Sequence, residues 1–137
     1  MIVNPILPGF NPDPCICRKG DDYYMAVSTF EWFPGITVYR SRNLRDWEFA
    51  AAPLNDDQKL DLRGIDTACG IWAPNLTYDN GRFYLIYTIV YTNRSRFKDT
   101  HNFLVTLRAH GAILYFSTVP GSPRPCSMTV TGNGWSI

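Results

Sequence analysis

The sequence predicts an all-β chain built from stacked propeller-blade units, and three observations carry that prediction. A segment recurs at a spacing of sixty positions: Pro12-Asp13-Pro14 returns as Trp72-Ala73-Pro74, and the residues from Pro14 to Ser28 lie over those from Pro74 to Thr88 without a gap, with a proline, a turn and an aromatic run in register. The segments between turn signals alternate apolar with polar residues, the period of a half-buried strand. No stretch sustains the 3.6-residue periodicity of a helix.

Taken in order, an inner strand centred on Ile16 is bounded by Pro14 and by the Gly20-Asp21-Asp22 turn. Tyr23 to Phe30, aromatic and β-branched, is the second strand; Phe33-Pro34-Gly35 turns the chain into Ile36-Thr37-Val38-Tyr39-Arg40-Ser41, which alternates strictly. Asn43-Leu44-Arg45-Asp46 reads as a tight turn into a short outer strand, Trp47 to Ala50. Four antiparallel strands in about forty residues are the content of one blade. A polar connection through Asn55-Asp56-Asp57-Gln58-Lys59 leads to the second unit, whose Asp79-Asn80-Gly81 is a hairpin signal. Phe83 to Tyr91 is then a strongly apolar strand, Thr92 to Thr100 a polar excursion, and His101 to Thr106 a further strand. A sandwich or small barrel uses similar strands; the repeat of an inner proline and aromatic strand favours blades.

The 137 residues, 45% hydrophobic and 15% aromatic, suffice for one domain with a real core. Thirteen basic against twelve acidic residues give a net charge of +1 without long runs of either sign, so nucleic acid and anionic membrane are not expected partners and a neutral substrate fits better. Cys15, Cys17, Cys69 and Cys126 lack the pair-of-pairs spacing of a zinc site and read as free thiols, with Cys15 and Cys17 on one strand face. The N-terminus lacks a basic segment followed by a long apolar one, and no window approaches the roughly 20 apolar residues of a membrane span. Together these predict a cytoplasmic location.

Asp13 is where the first unit departs from the second, placing a carboxylate where the repeat has Ala73. On its own an aspartate between prolines is as readily the cap of an Asx turn as a reacting group. The flanking prolines fix the backbone and would aim the carboxylate with little mobility. Asn4-Pro5-Ile6-Leu7-Pro8-Gly9-Phe10-Asn11-Pro12-Asp13-Pro14, then Asp22-Tyr23-Tyr24, Ser28-Thr29-Phe30-Glu31-Trp32-Phe33-Pro34-Gly35 and Gly70-Ile71-Trp72-Ala73-Pro74 closely resemble the start of family 43 glycoside hydrolases, and within them the β-xylosidases. The resemblance spans about residues 3 to 106. It implies the first two blades of a five-bladed β-propeller, left incomplete here, and an inverting glycosidase that cleaves β-1,4-linked xylose from xylo-oligosaccharides or related pentosides.

Inversion uses one carboxylate to deprotonate water and a protonated carboxylic acid across the sugar, roughly 6.5–9.5 Å away. The resemblance assigns Asp13 as the general base and puts Phe30, Trp72 and Ala73 at the xylose subsite, with Glu31, Trp32 and Phe33 shaping the rim. Sugars present apolar C–H faces that pack on aromatic rings, although a lone strand aromatic is more often core. No cofactor or metal is implied for proton transfer between two carboxylates. His101 and His110 are isolated and without metal-ligand spacing, and Asp21-Asp22 and Asp56-Asp57 read as solvated turns. An α-L-arabinofuranosidase of the same family and a non-catalytic carbohydrate-binding remnant are the alternatives, and the oligomeric state is open.

From about Leu107 the sequence changes character, and Pro120-Gly121-Ser122-Pro123-Arg124-Pro125-Cys126 resembles no blade strand. Reading the last base of each codon with the first two of the next converts Met128 to Ile137 into a string that admits His-Asp-Gly-Asp-Gly-Lys-Trp-Leu-Val-Asn, its first aspartate forced by the genetic code. The same shift upstream admits Pro-Ser-Leu-Phe, which makes a third copy of the repeat anchored at Pro14 and Pro74. Residues 107–137 are therefore expected to be an out-of-frame tail without native blade structure, on a chain that is an N-terminal piece lacking the acid glutamate and inactive alone. Ahead of Pro-Ser-Leu-Phe the codons under Ser122 and Pro123 cannot encode the aspartate that the family pattern expects to tune that acid.

Overall fold

A computed structural model describes residues 3–55, 60–96, 99–110, 113–117, 126–131 and 134–136, with side chains through residue 108. The described chain is all strand: β1 (Cys15–Lys19), β2 (Asp22–Ser28), β3 (Ile36–Ser41), β4 (Glu48–Ala51), β5 (Gly70–Asp79), β6 (Arg82–Thr92), β7 (Asp99–His110), β8 (Ile113–Ser117), β9 (Cys126–Thr131) and β10 (Gly134–Ser136). The first four form an antiparallel sheet in sequence order, as one blade requires. In the second sheet β5, β6 and β7 are neighbours, and the outer edge of β7 is shared, β8 pairing its residues 106–110 and β9 its residues 102–104.

Local chemistry sets the turns. Asn80 and Gly81 both have positive φ, at 46° and 81°, between the paired Asp79 and Arg82, the backbone that a two-residue hairpin needs and that these two residue types tolerate. Between β3 and β4, Asn43 Oδ1 accepts the backbone N–H groups of Arg45 and Asp46 at 3.0 and 2.8 Å, and Trp47 Nε1 donates to the Leu44 carbonyl at 3.2 Å. The β2 strand stops at Ser28, short of the expected Phe30, because Thr29 to Gly35 close on themselves: Thr29 N–H donates to the Gly35 carbonyl, Trp32 N–H to Thr29, and Gly35 N–H to Trp32. Asp22 is not a solvated turn residue. It opens β2 with its side chain only 24% exposed, accepting from Arg40 at 2.8 Å and Arg42 at 3.2 Å; burial opposes its charge, yet these two guanidinium groups hold the carboxyl below its usual range. Asp56 and Asp57 lie outside the described residues.

One core lies between the two sheets. The first contributes Tyr24, Ala26, Ile36 and Val38, the second Leu76, Phe83, Leu85, Tyr87, Ile89, Val105 and Leu107, all buried. Full burial of side chains of this size contributes about 1.5–3 kcal/mol each. Cys15 and Cys17 pack against this core while Ile16 between them is 48% exposed, so the two thiols do share a strand face. The Tyr24 and Phe83 rings meet edge-on at 4.8 Å.

The residues that face this core have opposite parity in the two units. Tyr24 aligns with Tyr84 in the sequence repeat, yet its packing counterpart is Phe83. Successive blades stack through opposite faces, so an even spacing in sequence sends equivalent residues to opposite sides of the interface, and Tyr84, Ile86 and Leu104 occupy the far face of the second sheet, half-buried.

Candidate functional site

Both units enter their inner strand through the same distortion. In the second sheet Trp72 pairs with Thr88 but Asn75 with Ile86, so Ala73 and Pro74 hold one residue more than their partner strand. In the first, Pro12 O accepts the Ser28 N–H at 3.1 Å while Cys15 pairs with Ala26, which is the same excess at Asp13 and Pro14. A bulge of this kind bends the strand and re-aims the side chain at its first residue. That residue has positive φ in both copies, 53° at Asp13 and 38° at Ala73. Aspartate tolerates this region better than alanine, and such backbone strain gathers at functional sites.

The bulges bring the expected residues together. Asp13 Oδ2 accepts the Ala73 backbone N–H at 3.2 Å, with the carboxylate at the exposed edge of the sheets. A directional N–H on one oxygen fixes the carboxylate plane while leaving the other oxygen free of that contact. Trp72 precedes Ala73 in β5, and its indole Nε1 donates to the Ala68 carbonyl at 3.2 Å. Phe30 arrives from the first sheet, with φ of 52°, through an isolated bridge to Ile71 in which its carbonyl accepts the Ile71 N–H at 3.0 Å. Its ring meets Phe10 edge-on, centroids 5.5 Å apart. Trp72 and Ala73 thus follow directly on the Ile71 that Phe30 bridges, and Ala73 in turn is bonded to Asp13. Trp32 and Phe33, expected at the rim, are 66% and 55% exposed.

Three supports were not anticipated. Gly70 lies so close to the first sheet that a Cβ there would sit 2.3 Å from the Phe30 carbonyl oxygen and 2.6 Å from the Glu31 nitrogen. A glycine inside a strand pattern is the available signal for such an approach. Glu31 reaches across to the loop before β5, where Oε1 accepts the Ala68 N–H at 3.1 Å. Nothing in its spacing advertises this. Asp66 anchors the other end of that loop: its N–H donates to the Tyr91 carbonyl, and its carboxylate takes the Thr92 hydroxyl at 2.7 Å and Arg94 at 2.6 Å, which together hold it below the usual carboxylate range.

His101 lies edge-on to Tyr91 and 3.4 Å from Asp99. Cys15 and Cys17 are free thiols. Of His110 and Cys126 only the backbone is described.

The family model for glycosyl hydrolases family 43 matches residues 2–111. Xylosidase/arabinosidase 43B of Humicola insolens is 57% identical over 103 residues, 75% of this chain and 19% of the relative. The β-xylosidase of Bacillus subtilis strain 168 is 53% identical over 105 residues, 77% of this chain and 20% of the relative. Among solved structures, the xylan β-1,4-xylosidase of Bacillus halodurans C-125 superposes with a TM-score of 0.81 at 45% identity, covering 98% of this chain and 26% of that one. The chain thus spans about a fifth of the length of these curated relatives. The matched structures are five-bladed β-propellers, of which the two sheets here are a part.

Proposed function

The chain belongs to glycosyl hydrolases family 43, and from that premise we propose that it carries the general-base side of an inverting β-xylosidase site acting on xylo-oligosaccharides or related pentosides. The observation that carries the reading is the Asp13 to Ala73 hydrogen bond, because it places the carboxylate beside Trp72 on a strained, well-supported backbone. In this role Asp13 takes a proton from a water molecule as that water attacks the anomeric carbon. Trp72 and Phe30 offer ring faces to the apolar side of the sugar, and the bulge at Ala73 leaves small backbone next to it. The acid that protonates the leaving oxygen belongs, in this reading, to a later blade.

A site made from one carboxylate lacks half of the proton transfer, so the chain by itself is proposed to be inactive. The assay is release of nitrophenol from p-nitrophenyl β-D-xyloside by the purified chain. Turnover that disappears in Asp13→Asn would refute the inactive reading and leave the assignment of Asp13 standing. The name of the Humicola relative, a xylosidase/arabinosidase, supports α-L-arabinofuranoside as the second substrate to assay. Binding of xylobiose without turnover in any context would instead favour a carbohydrate-binding remnant.

The out-of-frame origin of residues 107–137 is part of the same proposal. It is supported by matches to the two curated relatives that extend over 103 and 105 residues only. Coding DNA that yields stop codons, or no third repeat, when the frame is shifted near codon 107 would overturn it. A cytoplasmic location is likewise proposed, supported by the free thiols of Cys15 and Cys17.

A further inference from the structure

Glu31 and Trp72 meet through a residue that belongs to neither sheet's expected site. Ala68 donates its N–H to Glu31 Oε1 at 3.1 Å and accepts the Trp72 indole N–H on its carbonyl at 3.2 Å. Its φ is 62°, a region in which a side chain clashes with the following carbonyl and which a non-glycine residue keeps only when its surroundings hold it there. The turn itself is closed by Cys69 N–H on the Asp66 carbonyl at 3.0 Å.

From this geometry we infer that Glu31 is a positioning residue: its carboxylate clamps the Ala68 turn and thereby sets the orientation of the Trp72 ring beside Asp13. The inference rests on reading Trp72 as the sugar platform. A tryptophan side chain has a broad torsional preference about its outer bond, so a half-exposed indole needs a hydrogen-bond partner at its nitrogen to present one face. The Ala68 carbonyl is that partner, and it points at the indole only while the residue keeps its left-handed conformation. Glu31 holds the N–H on the near side of the same α-carbon with a charge-assisted bond, stronger than a neutral acceptor provides. It lies immediately after Phe30, so the residue that fixes one aromatic wall is covalently attached to the other.

The test reads Trp72 directly. In the whole chain labelled with nitrogen-15 at the indoles of its four tryptophans, the Trp72 signal is assigned by its loss in Trp72→Phe. Glu31→Ala is expected to shift that signal and speed exchange of its N–H by about fivefold, the scale of one modest hydrogen bond, whereas Glu31→Gln, which keeps an acceptor oxygen at the same reach, stays within about twofold. The Trp47 indole, bonded to Leu44 on the far side of the first sheet's turn, stays put in both and reports the fold. An unmoved Trp72 signal in Glu31→Ala, or equal changes in the alanine and glutamine variants, overturns the inference. If Glu31→Ala loses the Trp47 signal as well, Glu31→Asp, one methylene shorter at unchanged charge, must alter Trp72 while sparing Trp47, and its failure to do so overturns it equally. Titration with xylose separates the two readings: a Trp72 signal that ignores xylose but answers to Glu31 refutes the platform and leaves the positioning role, and the converse refutes the positioning role alone.

Discussion

Asp13 and Ala73 occupy the same place in two repeated units, sixty positions apart, and the carboxylate of one accepts the backbone N–H of the other at 3.2 Å. Their backbones share the left-handed conformation, so the bulge that aims a side chain in the first unit presents a bare N–H in the second.

If Asp13 served mainly to cap that turn, replacing it would cost stability. As an exposed group whose amide analogue can take the same N–H, it is expected to do little: Asp13→Asn leaves urea-unfolding stability within about 0.5 kcal/mol of the parent. A loss above about 2 kcal/mol would make its role structural.

Gly70 is the reverse case. Because the colliding atoms belong to the Phe30 and Glu31 backbone, which cannot swing aside, and because φ there is 88°, Gly70→Ala is expected to lose at least about 3 kcal/mol or fail to fold. Preserved near-ultraviolet dichroism and an unchanged unfolding midpoint would show that the two sheets are not locked at this point.

The reversed parity of the repeat predicts unequal costs at neighbouring positions. Phe83→Ala removes a fully buried ring packed on Tyr24 and Tyr78 and is expected to cost about 3–5 kcal/mol, whereas Tyr84→Ala, on the far face, costs less than half as much by chemical denaturation.

Burial, reinforced by neighbouring Cys15, pushes the Cys17 thiol up to about 11 from an ordinary 9.0. The folded state therefore holds its proton longer than the unfolded state does, so this contribution to stability is complete below pH 9.0 and is lost as the pH rises through about 11. At pH 8 the thiolate fraction is about a hundredfold below that of an ordinary cysteine, and alkylation by iodoacetamide is expected to slow in proportion. Labelling of Cys17 at the rate of a free thiol would contradict its packing against the core.

Much of the first sheet was legible because its signals are local. Asn43-Leu44-Arg45-Asp46 folds on its own side chains, and Ile36 to Ser41 alternates strictly. The hairpin at Asp79-Asn80-Gly81 and the polarity of Cys15-Ile16-Cys17 were readable for the same reason. What escaped depends on contacts between distant segments. The early end of β2 comes from the closure of Thr29 on Gly35, the ion pair of Asp22 needs Arg40 from the next strand, and Glu31 gains its meaning from a loop 37 residues away. The expectation for Asp13, Phe30, Trp72 and Ala73 came from the family resemblance rather than from spacing. The bulges that join them follow from register, which sequence spacing alone does not reveal.

The central claim, that Asp13 is the base of a xylosidase site, is tested most directly by completing the propeller. Residues 1–106 of this chain, joined to the remainder of the Bacillus subtilis β-xylosidase in place of its own matching segment, are expected to hydrolyse p-nitrophenyl β-D-xyloside with inversion, followed by NMR of the released sugar, and Asp13→Asn in that chimera is expected to lower kcat by at least about a thousandfold. An active chimera that keeps its turnover after Asp13→Asn would contradict the account.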